Sequence, residues 1–176
     1  MRPSKRGHLL RAASQLILRE GASRFTLDAV AREADVSKGG LLYHFPSKHT
    51  LIEALVQGMV SAFDTLLENA DQRDGRAGSF TRAYLRASEQ DDSGALSAGV
   101  AAAVAQNPAQ LEPLREAYTR WQARLESDGI DRVDATIVRL ATDGLWVAEL
   151  LELPPLGPDL RRAVLDRLAE LGGETP

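Results

Sequence analysis

Apolar residues recur every three or four positions along almost the whole chain, and no stretch alternates with period two. The pattern predicts helices throughout, with no strand and no internal repeat. Leu9, Ala12, Ala13, Leu16 and Ile17 share one face of a first helix that stops at Gly21. Thr26 caps a second helix, "LDAVAREA", and Ser37 caps a third that runs to about His44. Pro46 ends the third, because proline disfavours helix in the residue before it. Ser47 caps a long fourth helix, with Leu51, Leu55, Met59, Phe63 and Leu66 about a turn apart. "NADQRDGRAGS", residues 69–79, reads as a loop. Helices over 80–89 and 95–105 follow, separated by "QDDSG", and "NPAQLEP" reads as a turn. Leu114, Tyr118, Trp121 and Leu125 mark a further helix that ends at Asp128-Gly129. Asp131 caps the next, "LPPLGP" stops it, and Pro158 opens a last helix closed by Gly172-Gly173. The expected fold is all-α with about nine helices. Residues 2–62 form an N-terminal three-helix domain and residues 63–176 a C-terminal helical bundle.

Gly39 and Gly40 stand at the start of the third helix, where each costs about 1 kcal/mol relative to alanine. Helices two and three are short and separated by a three-residue turn. That is the spacing of a helix-turn-helix, whose second helix enters the DNA major groove. Glycine there removes the side chain that would hold the helix away from the bases, and the free N–H groups of a helix start favour phosphate. An alternative stays open on the sequence: the glycines only permit close packing against the first helix.

Charge points the same way. Residues 1–50 carry nine Lys/Arg against four Asp/Glu, whereas the rest carries twelve against twenty-one. A basic segment on an acidic body suits a polyanion at one end, although a solvated charged face also explains it. There is no cysteine, which excludes disulfides, thiolate metal sites and a cysteine nucleophile. The most apolar window, "ALSAGVAAAVA", is too short to span a membrane, and the basic N-terminus lacks the apolar run of a signal peptide. A cytoplasmic location and no membrane partner are expected.

"TLDAVAREADVSKGGLLYHFPSKHTLIEAL" resembles the DNA-binding domain of the TetR family of bacterial transcriptional regulators. Thr26, Ala31, Ala34, Val36, Ser37, Leu41, His44, Phe45 and Lys48 stand in register with the family pattern over roughly residues 6–60. Asp35 takes the place of the usual turn glycine, and Leu42 that of a tyrosine that often touches DNA. The resemblance implies a helix-turn-helix protein that binds a double-stranded operator as a homodimer and releases it when a small effector binds. Thr26, Ser37, Tyr43, His44 and Lys48 are then the donors to phosphate. Lys38, with the backbones of Gly39 and Gly40, is the candidate for reading a base edge. Arg2, Lys5 and Arg6 form a candidate mobile arm or a merely solubilising end.

Two late helices have apolar faces suited to a four-helix dimer interface or to burial in their own subunit. Leu140, Leu145 and Ala148 lie on one, and Leu160, Val164 and Leu168 on the other. Phe63, Tyr84, Tyr118, Trp121, Thr142, Asp143 and Trp146 are the candidate ligand-binding residues, although aromatics at helical spacing also suit plain core. Asp143 is placed to meet a cationic ligand, a partner subunit or water. No HExxH motif and no phosphate-cradling glycine loop is visible, and no histidine lies beyond residue 49. An enzyme is therefore not expected, nor is a cofactor or metal. The alternative to a ligand-responsive repressor is a DNA-binding regulator or architectural protein of the same fold without a small ligand.

Overall fold

The computed structural model describes residues 4–89, 95–151 and 153–174. They form α1 (Lys5–Glu20), α2 (Leu27–Glu33), α3 (Lys38–His44), α4 (Lys48–Asp74), α5 (Ser79–Glu89), α6 (Ala95–Gln106), α7 (Glu112–Glu126), α8 (Arg132–Leu150) and α9 (Pro158–Leu171). Short 3-10 turns occupy Ala22–Arg24 and Pro108–Leu111, and no strand occurs among the described residues. The break expected at residues 90–94, and Arg2 of the arm, lie outside the described residues.

Helix starts fall where a side-chain oxygen can cap them. Ser4 Oγ accepts from the Gly7 N–H, Thr26 Oγ1 from Ala29, Ser37 Oγ from Gly40 and Ser47 Oγ from Thr50, each at 3.1 Å. Asp131 accepts from Val133 at 2.8 Å and Asp134 at 3.1 Å. Each cap is worth about 1 kcal/mol. The Ser4 cap corrects the reading of a mobile arm: Lys5 and Arg6 are already helical, and the Arg6 guanidinium lies 5.3 Å from the centre of the Phe45 ring. A second correction concerns residues 69–74, which continue α4 instead of forming a loop. Asp71 is held there by Ser79 and Arg124, tertiary partners that a local polar composition does not reveal.

The chain divides into two compact units. The first comprises α1–α3, α4 up to Ser61, α6, and α7 up to Glu116. Its core holds Leu9, Leu16, Phe25, Val30, Leu41, Phe45, Leu51 and Ile52. Fully buried Ala102 and Ala103 belong to that core because α6 packs on α1. Small side chains at this contact let the two helices approach closely. By length and composition alone α4 could cross a membrane, but half of that stretch is buried within the protein, as in a core helix.

The second unit comprises the rest of α4, α5, the remainder of α7, α8 and α9. There α5 and α9 pack on α8, with Leu85, Val138 and Leu168 at the centre. Buried Arg82 donates to the carbonyls of Ala77 at 2.9 Å and Gly172 at 2.6 Å, tying the loop before α5 to the end of α9. Gly78 sits against this tie with φ +78°, and a β-carbon there would overlap the Gly172 carbonyl oxygen. Gly78→Ala is expected to destabilise the protein by about 2–4 kcal/mol. The check is a urea titration, in which the midpoint should fall with little change in slope.

Candidate functional site

In the first unit, the turn between α2 and α3 has a definite chemistry. The Asp35 N–H bonds to the Arg32 carbonyl at 3.1 Å and the Val36 N–H to the Ala31 carbonyl at 3.0 Å. These two bonds are the Schellman arrangement, which places one left-handed residue just past the helix. That residue is Asp35, at φ +51°, a conformation that aspartate tolerates better than most side chains. His8 Nε2 donates to the Ala34 carbonyl at 2.9 Å and ties α1 to the turn. A groove of about 760 Å³ lies here, with Lys5, His8, Asp35, Gly40, Tyr43 and His44 among its lining residues.

α3 is anchored from beneath by Leu41 and Phe45, both buried. Its outer side carries Lys38, Gly39, Gly40 and Tyr43, and Tyr43 is 85% exposed. A β-carbon on Gly39 would meet nothing within 4 Å, and one on Gly40 would meet only Ser37 Oγ at 3.3 Å. Neither β-carbon would meet an atom of α1, so packing against α1 does not require glycine at either position. Thr26 and Ser37 use their oxygens as caps, but each hydroxyl proton can still donate. Leu42 and His44 are half-buried, and the Tyr43 and His44 rings meet edge to face at 5.1 Å. Lys48 Nζ lies 5.3 Å from the centre of the Phe25 ring, and burial lowers its pKa from the usual lysine value. Lys38 Nζ pairs with Asp28, 3.0 Å from Oδ1. Asp28 and His8 escape a reading by motif, since their partners lie 10 and 26 positions away.

In the second unit, Phe63, Tyr84, Tyr118 and Trp121 form one aromatic cluster. Trp121 lies 5.0 Å from Phe63, 5.2 Å from Tyr118 and 6.0 Å from Tyr84 between ring centres, always edge to face. Its indole N–H donates to Asp64 Oδ1 at 2.7 Å. Asp143 Oδ1 accepts from the hydroxyls of Tyr84 at 2.7 Å and Tyr118 at 3.1 Å, while Oδ2 accepts from Arg139 at 3.1 Å. Both oxygens are thus engaged within the chain, by partners other than the cationic ligand, partner subunit or water that the sequence leaves open. Arg139 is missing from the sequence reading, although its i,i+4 spacing to Asp143 on a helix signals the pair. Thr142 is buried and Trp146 half-buried.

Burial pushes the Asp143 carboxyl above its ordinary value, and the hydrogen bond from Tyr84, the charge of Arg139 and the Tyr118 hydroxyl oppose it. Burial also pushes both Tyr84 and Tyr118 upward, with the charge of Asp143 adding to it. The folded protein therefore holds these phenolic protons more tightly than the unfolded chain, whose tyrosines titrate near 10.0. The resulting stability is complete below that pH and is lost as pH rises above it. In an alkaline titration, two of the three tyrosines should ionise only together with loss of helical circular dichroism. Ionisation of all three before any loss of helix would show the cluster open to water.

Comparison with known proteins decides the family. Residues 9–55 match the bacterial regulatory proteins of the tetR family. Residues 78–172, more than half of the chain, match the tetracyclin repressor-like C-terminal domain. The chain belongs to the TetR family. Members of this family are DNA-binding transcriptional regulators, not enzymes. Among curated TetR-like sequences it is 35% identical over 57 residues to the nucleoid occlusion factor SlmA of Aliivibrio fischeri, covering 32% of this chain and 29% of that one. The chain spans about a third of the length of the curated relatives it matches. A TetR-family structure from Streptomyces coelicolor A3 superposes with TM-score 0.68 at 24% identity, over 94% of this chain and 98% of the other. The multidrug binding protein EbrR complexed with ethidium gives TM-score 0.63 at 22% identity over the same shares. These structural likenesses show the fold.

For a TetR regulator the outward faces of α8 and α9 matter next. Leu140 and Leu160 are 56% and 57% exposed, and Leu145, Ala148 and Val164 are half-buried. Leu168, expected in the interface, is instead buried against Leu85 and Val138 of its own subunit, because α9 turns that residue toward α5 and α8. Val133, Ile137, Leu140, Val147 and Leu151 are exposed at heptad spacing along α8, and Gly144 completes the stripe with nothing within 4 Å of its β-carbon position.

Proposed function

We propose that this TetR-family protein is a homodimeric repressor that a small molecule releases from its operator. Residues 2–62 carry the DNA-binding function, and residues 63–176 carry effector binding and dimerisation. Tyr43, His44, Thr26, Ser37 and Lys48 serve as phosphate donors, and Lys38 reads a base edge beside Gly39 and Gly40. The apolar stripe on α8 and the exposed start of α9 form the seam between two copies.

The observation that carries the effector reading is the aromatic cluster of Phe63, Tyr84, Trp121 and half-buried Tyr118, whose two tyrosines engage the carboxylate of Asp143. α4 is continuous from Lys48 to Asp74 and bears Phe63 of that cluster. It is thus a covalent route by which effector binding reaches α3. Release requires the effector to prefer the conformation that binds DNA poorly; a hundredfold release needs about 2.7 kcal/mol of such preference. The likeness of EbrR supports this reading, since that protein has been crystallised with ethidium. A second reading, a DNA-binding factor without a small ligand, stands beside it, since SlmA is named for nucleoid occlusion and not for binding a small molecule.

One experiment separates them. The operator is selected from random duplexes and its affinity measured against salt, which should give a steep negative slope. A panel of small molecules is then screened by tryptophan fluorescence. A compound that shifts the fluorescence and weakens operator binding over one concentration range supports the effector reading. Selection of a binding site with no responding compound favours the ligand-free factor.

A further inference from the structure

The cluster around Asp143 has a second side. Three polar atoms on one stretch of α8 are buried and make no hydrogen bond: Arg139 Nε, Thr142 Oγ1 and Trp146 Nε1. Buried polar groups are nearly always paired, so each of these calls for a partner. At 3.6 residues per turn, positions 139, 142 and 146 lie within a narrow wedge of one helix face, spread over roughly 10 Å of its length. Thr142 is 2% exposed. Two of the three atoms, the guanidinium Nε–H and the indole N–H, can only donate, and the third can donate. A fourth buried atom without a partner, the acceptor Gln122 Oε1, lies on α7; its amide reaches Thr136, one turn before Arg139.

The carboxylate within the same stretch is no counterpart for a cation. Asp143 already takes two phenol protons and one guanidinium proton, and its neighbour Arg139 offsets its charge. What this face lacks is an acceptor. A carboxylate has about four lone-pair sites and so can serve three donors at once, while a ketone has two and an ammonium none. Charge also makes its hydrogen bonds about twice as strong as neutral ones. The Tyr84 and Tyr118 hydroxyls reach the same turn of α8 at Asp143, with Trp121 and Phe63 packed on their rings, so the side chains gathered beside this turn are aromatic.

We propose that the effector of this regulator is an aromatic carboxylate whose oxygens accept from Trp146, Thr142 and Arg139. This rests on the effector reading above and names its chemistry. Asp143 acts as a positioning residue that holds Arg139 and the two tyrosines in place.

Three probes share one ring system and differ only in the head group: 2-naphthoate, 2-acetonaphthone and 2-naphthylmethylammonium. Binding to the full chain is read by tryptophan fluorescence and by the shift in melting temperature, and operator release by gel shift. The naphthoate is expected to bind at least tenfold more tightly than the ketone, and the ammonium more weakly still. Trp146→Phe keeps the ring and removes the N–H, and should cost the naphthoate about tenfold while changing the ketone less. Thr142→Val should weaken naphthoate severalfold yet raise the melting temperature of the free protein, since a buried unpaired hydroxyl becomes a methyl of the same shape. Arg139→Met should abolish the preference of carboxylate over ketone. Tighter binding of the ammonium than of the naphthoate would overturn the proposal while leaving an effector site in place. Naphthoate binding that responds to the variants but leaves operator affinity unchanged would uphold the site and overturn the repressor reading instead. Failure of all three probes to bind, or naphthoate binding unaffected by any of the three variants, would show that the unpaired donors are met by water only.

Discussion

Gly39→Leu is expected to yield a folded, slightly more stable protein that no longer binds its operator. Beyond its own turn of helix, nothing lies within 4 Å of the Gly39 β-carbon position, so a β-carbon there displaces nothing and the side chain starts out into open space. Leucine also favours helix over glycine by about 0.5–1 kcal/mol at an exposed helical site. The melting temperature should therefore rise a little. Operator affinity should fall by about a hundredfold or more, because the side chain holds the start of α3 away from the duplex and breaks several contacts of 1–3 kcal/mol each. Stability and function moving in opposite directions is the signature sought. Unchanged affinity in a gel-shift titration would place Gly39 off the DNA face, and a lowered melting temperature would show a packing role.

The second large effect concerns the seam. Replacing both Leu140 and Leu160 by glutamate should leave each chain folded, since both side chains are more than half exposed in the single subunit. In a homodimer each change occurs twice, so four half-exposed side chains would lose about 1 kcal/mol of apolar burial each and bring like charges together. About 4 kcal/mol corresponds to roughly a thousandfold weaker association. Sedimentation should show a monomer, and operator affinity should fall because the two half-sites no longer act together. The equivalent change at Leu168 would instead unfold the subunit, as that side chain is core. A Leu140/Leu160 double variant that stays dimeric would move the seam to another face.

These cases show what the sequence reveals and what it conceals. The helix-turn-helix was legible because its signals are local: Thr26, Ser37 and Ser47 each cap the helix that begins at the next residue. The Asp35 turn was legible for the same reason. Leu160 and Leu168 are a different matter. They share a stripe eight residues long, and helical period alone cannot say which end faces its own subunit. The polar run at 69–74 concealed a helix because its partner Arg124 lies more than fifty residues away. Likewise, Asp143 reads as a lone acid in an apolar stretch until α5 and α7 bring Tyr84 and Tyr118 to it from 59 and 25 positions off. The motif placed the candidate DNA face. The chemistry of the candidate effector site came from long-range packing.

The contact between Lys38 and Asp28 bears on how such a regulator searches a genome. Its operator competes with about 10⁶–10⁹ other positions on the chromosome, and phosphate attraction alone holds a basic DNA-binding segment at any of them. Asp28 occupies the lysine at 3.0 Å when no base is present. Both side chains are more than half exposed, so breaking the pair costs about 0.2–1 kcal/mol. A correct base edge outweighs that cost; a passing phosphate barely does. On the proposal that Lys38 reads a base edge, the carboxylate shortens the time lost on wrong sites more than it weakens the right one, and its removal should give a protein that clings to DNA more tightly yet finds its target more slowly.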